Sequence, residues 1–336
     1  MAEVVFDDIL EKIFFRLAVR DIIQCKSVCK SWYSVISSSR FVDFHLKHNN
    51  AVGRTRIIIK EDPKNILVGS SNGLVCIYNS DHTKLCVLNP CTRERKFVKH
   101  PYFRNYHFDF KPNLYGFGYD SSSDDYKVIL GRYAENVTHF YLLSLKSNDH
   151  GTKSCKGMLR CVLGIKSAGI LCNGALHWLM CDQNHNTVIL SFHLSKGEFK
   201  EIPTPAHDKR DTWQTRLGII EECLLFSYYK HDHPKWVMKN YNDKQSWELL
   251  SPLLQWDEDI IQDVKVLELE SYNKAKSFFH YNLSFSQTFN YISAPVFVQS
   301  LVSPHFHFNK KQKRKRKRIF MLIKEDPPIR AKKATV

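Results

Sequence analysis

The chain has 336 residues, and its 43% hydrophobic and 13% aromatic content is typical of a globular protein and excludes a disordered one. It has no apolar run of about eighteen residues and no basic segment before a cleavage site, so neither a membrane span nor a secretory signal is expected. The net charge of +15 is uneven, because the residues from Lys310 onward carry twelve basic and two acidic side chains, which leaves 15 − 10 = +5 on the rest. This excludes strong nucleic-acid binding by the folded part on charge grounds.

The first 48 residues are predicted to form three short helices. Apolar residues recur there at the spacing of one helical face: Ile9, Leu10, Ile13, Phe14 and Leu17. Asp8 with Glu11, and Asp21 with Gln24, have the capping-box spacing that starts a helix. Three short helices bury too little surface to make a core alone, so some of these side chains must face another surface.

The order of residues in VFDDILEKIFFRLAVRDIIQCKSVCKSWYSVISSSRFVDFHL, from Val5 to Leu46, resembles an F-box. The matching positions are Arg16, Leu17, Val19, Val28, Cys29, Lys30, Ser31, Trp32, Ile36, Ser37, Phe41, His45 and Leu46. The resemblance implies a docking segment for a Skp-type adaptor, which connects such proteins to a cullin ubiquitin ligase. It assigns the adaptor contacts to Phe6, Ile9, Leu10, Ile13, Leu17, Ile22, Ile23, Val28 and Trp32. The alternative is that these side chains only pack on the domain that follows.

Two positions depart from the F-box pattern. Val5-Phe6 stands where the family has Leu-Pro, and Ala18 stands where it has proline. Proline at a helix start presets φ, so its loss is expected to weaken the start by less than ~1 kcal/mol. Adaptor binding is therefore expected, in a weakened form.

After residue 50 the sequence changes to runs of apolar and aromatic residues between turn signals, which predicts strands. The strand groups begin near residues 66, 114, 168 and 216, a period of 48 to 54 residues with three or four strands in each. Asn72-Gly73 and Asn173-Gly174 occupy equivalent hairpin turns, and Glu221-Glu222 stands there in the fourth group. Such a period predicts propeller blades of about the kelch length, with a Greek-key sandwich as the alternative.

The same region resembles the plant F-box-associated domain. The matching blocks are VGSSNGLVCIYN, LCVLNPCTRERKFV, LYGFGYDSSSDDYKVI, CNGALHWLM, ILSFHLSKGEFKEIP, WVMKNYNDKQSWELL and FVQSLVSP. The resemblance runs from about residue 60 to 306 and is weakest over residues 255–295. It places the chain among plant F-box proteins.

The predicted fold class is α+β and multidomain. A small three-helix F-box is expected at residues 3–48 and a linker at 49–65. An all-β, propeller-like domain of repeated antiparallel units is expected at 66–306, followed by a basic, disordered tail at 307–336.

No catalytic set is found, because the G-x-S-x-G, H-E-x-x-H and Cys/His nucleophile patterns are all absent. No cofactor is expected. Gly116 and Gly118 lack the third glycine or the Lys-Ser/Thr of a phosphate loop, so a tight strand end is predicted. Asp124 and Asp125 are adjacent, which makes them poor partners for acid–base work, and a turn is predicted for them.

The remaining polar and thiol residues have structural interpretations. His177 with Trp178 is expected to pack within a blade, and His231 and His233 to lie in a solvated turn. The sequon at Asn136 is expected to be unused. The ten cysteines form no C-x-x-C pair and suggest a reducing compartment. Cys25 and Cys29 are accordingly expected to be core thiols, not metal ligands.

The tail contains KKQKRKRKR, in which eight of nine residues are basic: Lys310, Lys311, Lys313, Arg314, Lys315, Arg316, Lys317 and Arg318. Such a run cannot pack in a core. It favours nuclear import, ahead of weak, non-specific contact with nucleic acid or an anionic surface, and ahead of a plain solvated tail.

Taken with the resemblance, these features predict a non-catalytic substrate-recognition subunit of a Skp–cullin–F-box ubiquitin ligase, nuclear or cytoplasmic. The F-box would hold the adaptor, and the β domain would hold an unidentified target protein. One alternative is a nuclear protein- or nucleic-acid-binding protein that acts without the ligase. An enzyme on a propeller scaffold and a receptor for a glycan are the other two.

Overall fold

The computed structural model describes sixteen stretches of the chain, and the structural statements below concern these residues. The stretches are 9–52, 54–59, 65–79, 84–98, 112–134, 137–147, 150–155, 160–161, 167–181, 186–205, 215–220, 222–228, 234–250, 264–271, 274–281 and 296–305. No helix among them is long and apolar enough to cross a membrane.

The N-terminal part, residues 9–52, forms a helical module. It contains α1 (residues 9–14), α2 (Val19–Cys25), α3 (Lys30–Ser37) and α4 (Ser39–Val52). Four helices thus replace the three that were predicted. The extra break falls at Cys29, whose extended backbone (φ −158°, ψ 168°) ends the helical path, while its sulfur accepts a hydrogen bond from the Trp32 N–H at 3.5 Å.

One hydrophobic cluster holds the four helices together. Phe14 lies at its centre, with its ring centroid 4.9 Å from that of Trp32 and 6.4 Å from that of Phe41, both edge-on. The other buried members are Leu10, Val19, Ile22, Ile36 and, from the far end of the chain, Leu301.

The rest of the described chain forms five β-sheets, four of which follow one another along the sequence. The first contains β2 (Asn65–Ser71), β3 (Leu74–Asn79), β4 (Lys84–Asn89) and β5 (Glu94–Val98), all antiparallel; β1 (Arg54–Ile59) precedes it. The second contains β6 (Leu114–Asp120), β7 (Asp125–Ala134), β8 (Val137–Ser144) and β9 (His150–Cys155).

The third and fourth sheets repeat this pattern with additions. In the third sheet, short β10 (Arg160–Cys161) and β12 (Ile170–Cys172) both pair with β13 (Ala175–Cys181). β13 then pairs with β14 (Thr187–His193), and β14 pairs with β15 (Glu198–Ile202). The short strand β11 (Ser167–Ala168) pairs in parallel with β6 and so belongs to the second sheet. The fourth contains β16 (Thr215–Ile220), β17 (Cys223–Tyr228), β18 (Trp236–Met238) and β19 (Trp247–Leu249), the last preceded by a 3-10 turn at Lys244–Ser246.

The fifth sheet joins the two ends of the β domain. Its order is β21 (Lys274–Tyr281), β20 (Val264–Ser271), β1 and β22 (Val296–Val298). β1 runs parallel to β20 and antiparallel to β22. The repeated antiparallel sheets confirm the predicted propeller-like domain behind a helical module.

Turn chemistry sets the hairpins as predicted. Asn72 and Gly73 have φ of 52° and 75°, and Asn173 and Gly174 have φ of 48° and 70°. Two successive positive φ values define a type I′ turn, whose twist matches that of the flanking strands. Glu222 takes the equivalent conformation in the fourth sheet, with φ of 67°.

Neighbouring sheets pack closely where glycine leaves room. A Cβ on Gly116 of β6 would lie 2.7 Å from Leu176 and 2.9 Å from Trp178, both on β13. The buried Trp178 indole N–H donates to the Tyr115 carbonyl oxygen at 2.8 Å. Gly116 therefore serves the contact between the second and third sheets. The strand end predicted at Gly116 and Gly118 is wrong, because both residues lie inside β6.

Candidate functional site

The helical module presents apolar side chains to solvent as well as to its own core. Ile9 and Ile13 of α1 are each 52% exposed, and a spacing of four places them on the same side of the helix. Leu10 and Phe14 are buried on the other side. Val28, in the turn between α2 and α3, is 62% exposed. Exposed large aliphatic side chains of this kind are typical of a surface that meets a partner.

The nine predicted adaptor contacts divide by their burial. Ile9, Ile13 and Val28 are exposed; Leu17, Ile23 and Trp32 are half-buried; Leu10 and Ile22 are buried; and Phe6 lies outside the described residues. The exposed and half-buried residues have surface available for a partner. Leu10 and Ile22 have almost none, so their role is to hold the helices that carry the others.

Two exposed aromatic residues of the module were not among the predicted contacts. They are Tyr33 on α3 and Phe44 on α4, and the Lys47 ammonium lies 5.9 Å from the centroid of the Phe44 ring. Tyr33 follows the half-buried Trp32, and Phe44 precedes the buried His45. Each step along a helix turns the side chain by about 100°, so a residue next to a buried one points away from the core. The exposure of Tyr33 and Phe44 could have been predicted from these neighbours.

The module's charged groups support the helices. Arg40 of α4 lies 3.6 Å from the Glu11 carboxylate of α1, in a pair that is largely exposed on the arginine side. Burial lowers the pKa of His45, assisted by the neighbouring His48 and opposed by a hydrogen bond with the Leu17 backbone. His45 therefore stays neutral near pH 7 among the aromatic rings of Phe15 and Phe41.

The acidic residue at the end of β6, Asp120, holds a loop and a neighbouring sheet together. The buried Asp120 carboxylate accepts hydrogen bonds from the hydroxyls of Ser122 (2.7 Å), Ser123 (2.6 Å) and, in the turn between β14 and β15, Ser195 (2.6 Å). It also pairs with the Lys127 ammonium at 2.8 Å, and Lys127 in turn donates to the Leu194 carbonyl oxygen. Burial alone would raise the pKa of Asp120, but these hydrogen bonds outweigh it and hold the pKa well below its usual range.

Asp124 and Asp125 have different structural roles. Asp124 sits in the turn with φ of 49°, and Asp125 begins β7, so the predicted turn holds for Asp124 only. The buried Asp125 carboxylate accepts the backbone N–H groups of Lys146 (2.7 Å) and Ser147 (3.2 Å), which caps the end of β8. These backbone donors satisfy the Asp125 carboxylate at the start of the strand.

The buried thiols are chemically quiet. Burial raises the pKa of Cys86 and of Cys172 to about 12, so both stay protonated and unreactive at neutral pH. Cys25 packs against the helical cluster, whereas Cys29 is exposed, contrary to its predicted core position, because its sulfur caps α3. Among the residues described, no three His, Cys, Asp or Glu side chains come close enough together to hold a metal ion.

Several predicted features fall outside the described residues. They are the sequon at Asn136, the pair His231 and His233, and the basic run from Lys310 to Arg318. His177 and Trp178, by contrast, are fully buried in the third sheet, as expected.

Two known protein families match the sequence of this chain and agree with its architecture. Residues 6–44 match the F-box domain, and residues 31–292, which are 262 of the 336, match the F-box associated beta propeller domain. The chain belongs to the family defined by the F-box associated beta propeller domain, and carries an F-box in front of it. The predicted resemblance is thereby confirmed.

Similar curated proteins come from Arabidopsis thaliana. F-box/kelch-repeat protein At3g23880 is 28% identical, over 89% of this chain and 95% of its own length. F-box protein CPR1 is 27% identical, over 71% of this chain and 70% of its own. F-box protein At4g22390 is 24% identical, over 72% of each chain. These relatives indicate a plant F-box protein.

Proposed function

We propose that this chain is the substrate-recognition subunit of a Skp–cullin–F-box ubiquitin ligase. The helical module binds a Skp-type adaptor, and the propeller-like domain binds the protein to be modified. The chain itself supplies no catalytic group. It raises the concentration of the target near a conjugating enzyme that the ligase recruits, so its contribution is one of effective concentration.

The exposed apolar side of the helical module carries the proposal. Burial against a partner would stabilise the complex by roughly 25 cal/mol per Å² of apolar surface removed from water. The side chains that have such surface exposed are Ile9, Ile13 and Val28. None of these three side chains belongs to the buried core of the module, which contains Leu10, Phe14 and Ile22. Exposed isoleucine side chains on a segment that matches an F-box support adaptor docking.

The basic run from Lys310 to Arg318 supports a second, smaller proposal. Eight positive charges in nine residues suit recognition by an import receptor, which would place the chain in the nucleus for at least part of its life. Weak contact with nucleic acid is the competing use of the same charges, and it would fall steeply with salt.

The test of the main proposal is capture of the full chain by a purified Skp-type adaptor. Ile9→Asp with Ile13→Asp places two carboxylates on the exposed side of α1 while the core remains intact. The matched control is Leu249→Asp on β19, an equally exposed leucine (61%) outside the helical module. We expect the adaptor to capture the wild type and the control but not the double variant.

Circular dichroism and thermal unfolding of all three proteins accompany the capture assay. Loss of capture by a folded double variant supports the adaptor role. Capture of the double variant at the wild-type level would exclude this side of α1 as the docking surface. Failure of the folded wild type to bind would leave a nuclear binding protein that acts without the ligase as the better account.

A further inference from the structure

The residues from β22 onward contact both the first sheet and the helical module. Residues 296–304, here called the closing segment, begin with β22, which pairs with β1. Phe297 is fully buried against Val75, Ile77, Cys86 and Leu88 of the first sheet. The closing segment therefore links the last sheet to the first.

Leu301 of the closing segment belongs to the core of the helical module. It is 4% exposed and lies in the same buried cluster as Phe14, Ile36 and Phe41. Cys91, in the turn after β4, packs against that cluster from the first sheet. Two residues of the β domain thus complete the helical core.

Asn89 fixes both of these residues. Its side-chain NH₂ donates to the carbonyl oxygens of Ser300 (2.9 Å) and Val302 (2.8 Å), on either side of Leu301. Its side-chain oxygen accepts the backbone N–H of Cys91 at 2.8 Å. Asn89 itself is fully buried, which strengthens the hydrogen bonds of its amide.

The surrounding contacts leave the closing segment little freedom. The Ser300 hydroxyl donates to the Asn72 carbonyl oxygen at 2.8 Å, in the first hairpin turn. A Cβ on Gly73 would lie 2.2 Å from the Ser300 hydroxyl oxygen, so glycine is required for the segment to lie this close. Further along the same face, burial lowers the pKa of Lys26 in the helical module, and Glu94 of β5 opposes that shift across the junction.

We propose that Asn89 is the clamp that fixes the helical module to the propeller-like domain. One amide presents Leu301 and Cys91 to the helical core, so closure of the β domain and integrity of the module depend on the same side chain. The helices are then a fixed extension of the first sheet, not a domain on a hinge. A target held by the propeller would be kept at a set orientation to the adaptor.

Hydrogen exchange on the full chain, without any adaptor, tests the clamp. Asn89→Asp keeps the shape and the acceptor but replaces the NH₂ group with an oxygen that faces the two carbonyls. The matched control is Asn79→Asp in β3, where a buried amide of the same sheet donates to Asn65 at 2.8 Å, away from the closing segment. Leu301→Ala is the second test variant.

We expect Asn89→Asp to raise exchange in residues 19–52 and 296–304 by about tenfold or more, and to leave β6 to β9 at the wild-type level. Leu301→Ala should raise exchange in the same helices, and Asn79→Asp should not. Unchanged protection of the helices in folded Asn89→Asp would overturn the proposal. If that variant does not fold, unchanged helices in Leu301→Ala would overturn it equally. Because no adaptor is present, this result is independent of the ligase proposal.

Discussion

The Tyr241 hydroxyl oxygen lies 2.8 Å from His177 Nε2, in a contact that joins the fourth sheet to the third. His177 Nδ1 lies 3.1 Å from the Ile170 carbonyl oxygen, which can only accept, so Nδ1 carries the hydrogen and Nε2 accepts from Tyr241. The imidazole is thus satisfied in its neutral form. Burial lowers the pKa of His177 to about 4, although the backbone hydrogen bonds act in the other direction.

This contact predicts a loss of stability in mild acid. The folded pKa lies below the ordinary value of 6.5, so between these values the unfolded chain binds more protons and stability falls as the pH drops. The difference corresponds to about 2 kcal/mol between pH 7 and pH 5, to be measured by urea unfolding. His177→Gln should be less stable at pH 7 but should lose about 2 kcal/mol less on acidification. Identical pH dependence in the two proteins would contradict this assignment.

Replacement of Asp120 by asparagine should be costly. Asp120→Asn removes the charge that Lys127, itself only 18% exposed, requires as its partner. Leaving a largely buried ammonium unpaired costs about 3 kcal/mol of the free energy of unfolding. Asp124 lies in the turn that follows β6 and is 58% exposed, and Asp124→Asn breaks its pair with Lys146 while an amide oxygen can still accept from the Tyr119 hydroxyl. This variant should cost less than ~1 kcal/mol. Equal losses in urea unfolding of the two variants would disprove the structural role of Asp120.

The two Asn-Gly turns should respond differently to the same substitution. Gly73→Ala and Gly174→Ala both place alanine at positive φ, which costs about 1–2 kcal/mol. A Cβ on Gly174 meets nothing within 4 Å, whereas one on Gly73 collides with Ser300 and with the Val298 carbonyl oxygen at 2.6 Å. Gly73→Ala should therefore lose about 2 kcal/mol more than Gly174→Ala in chemical unfolding. A smaller loss for Gly73→Ala would mean that the closing segment is not held against this turn.

Restoring the F-box proline should stabilise the helical module. Ala18 precedes α2 with φ of −64° and ψ of 151°, and this φ is the value that proline imposes. Ala18→Pro should raise the free energy of unfolding by about 0.4–1 kcal/mol, because it restricts the unfolded chain. Gln24→Pro, inside α2, is the contrasting variant and should destabilise by about 3 kcal/mol. Thermal unfolding checks both, and a lower midpoint for Ala18→Pro would refute the prediction.

The hairpins and the repeat were predictable because their signals are local. Asn72-Gly73 and Asn173-Gly174 specify type I′ turns by their own backbone preferences, independent of the rest of the chain. The fifth sheet had no such signal. Its β1 pairs with β20, 264 − 59 = 205 residues further on, and β22 is only three residues long. Such distant segments pair only because the closed fold brings them together, so no local sequence pattern marks their pairing.

The candidate site was predictable as a segment but not side chain by side chain. Ile9 and Leu10 are neighbours of similar hydrophobicity, yet the first is exposed and the second is buried. A module whose apolar side chains lie both in the core and on an exposed side has no polar stripe to tell the two sides apart. The contribution of Leu301 to the same core was equally hidden, because its position depends on Asn89 and the closing segment.

The pairing of β1 with β20 and β22 also bears on how the protein is made. A ribosome adds about 5–20 residues per second, so some 10–40 seconds separate the synthesis of β1 from that of its first partner strand. Leu301 is translated later still. The nascent helices thus emerge with a gap in their core and an unpaired strand behind them, and the fold can be completed only after Leu301 has been made.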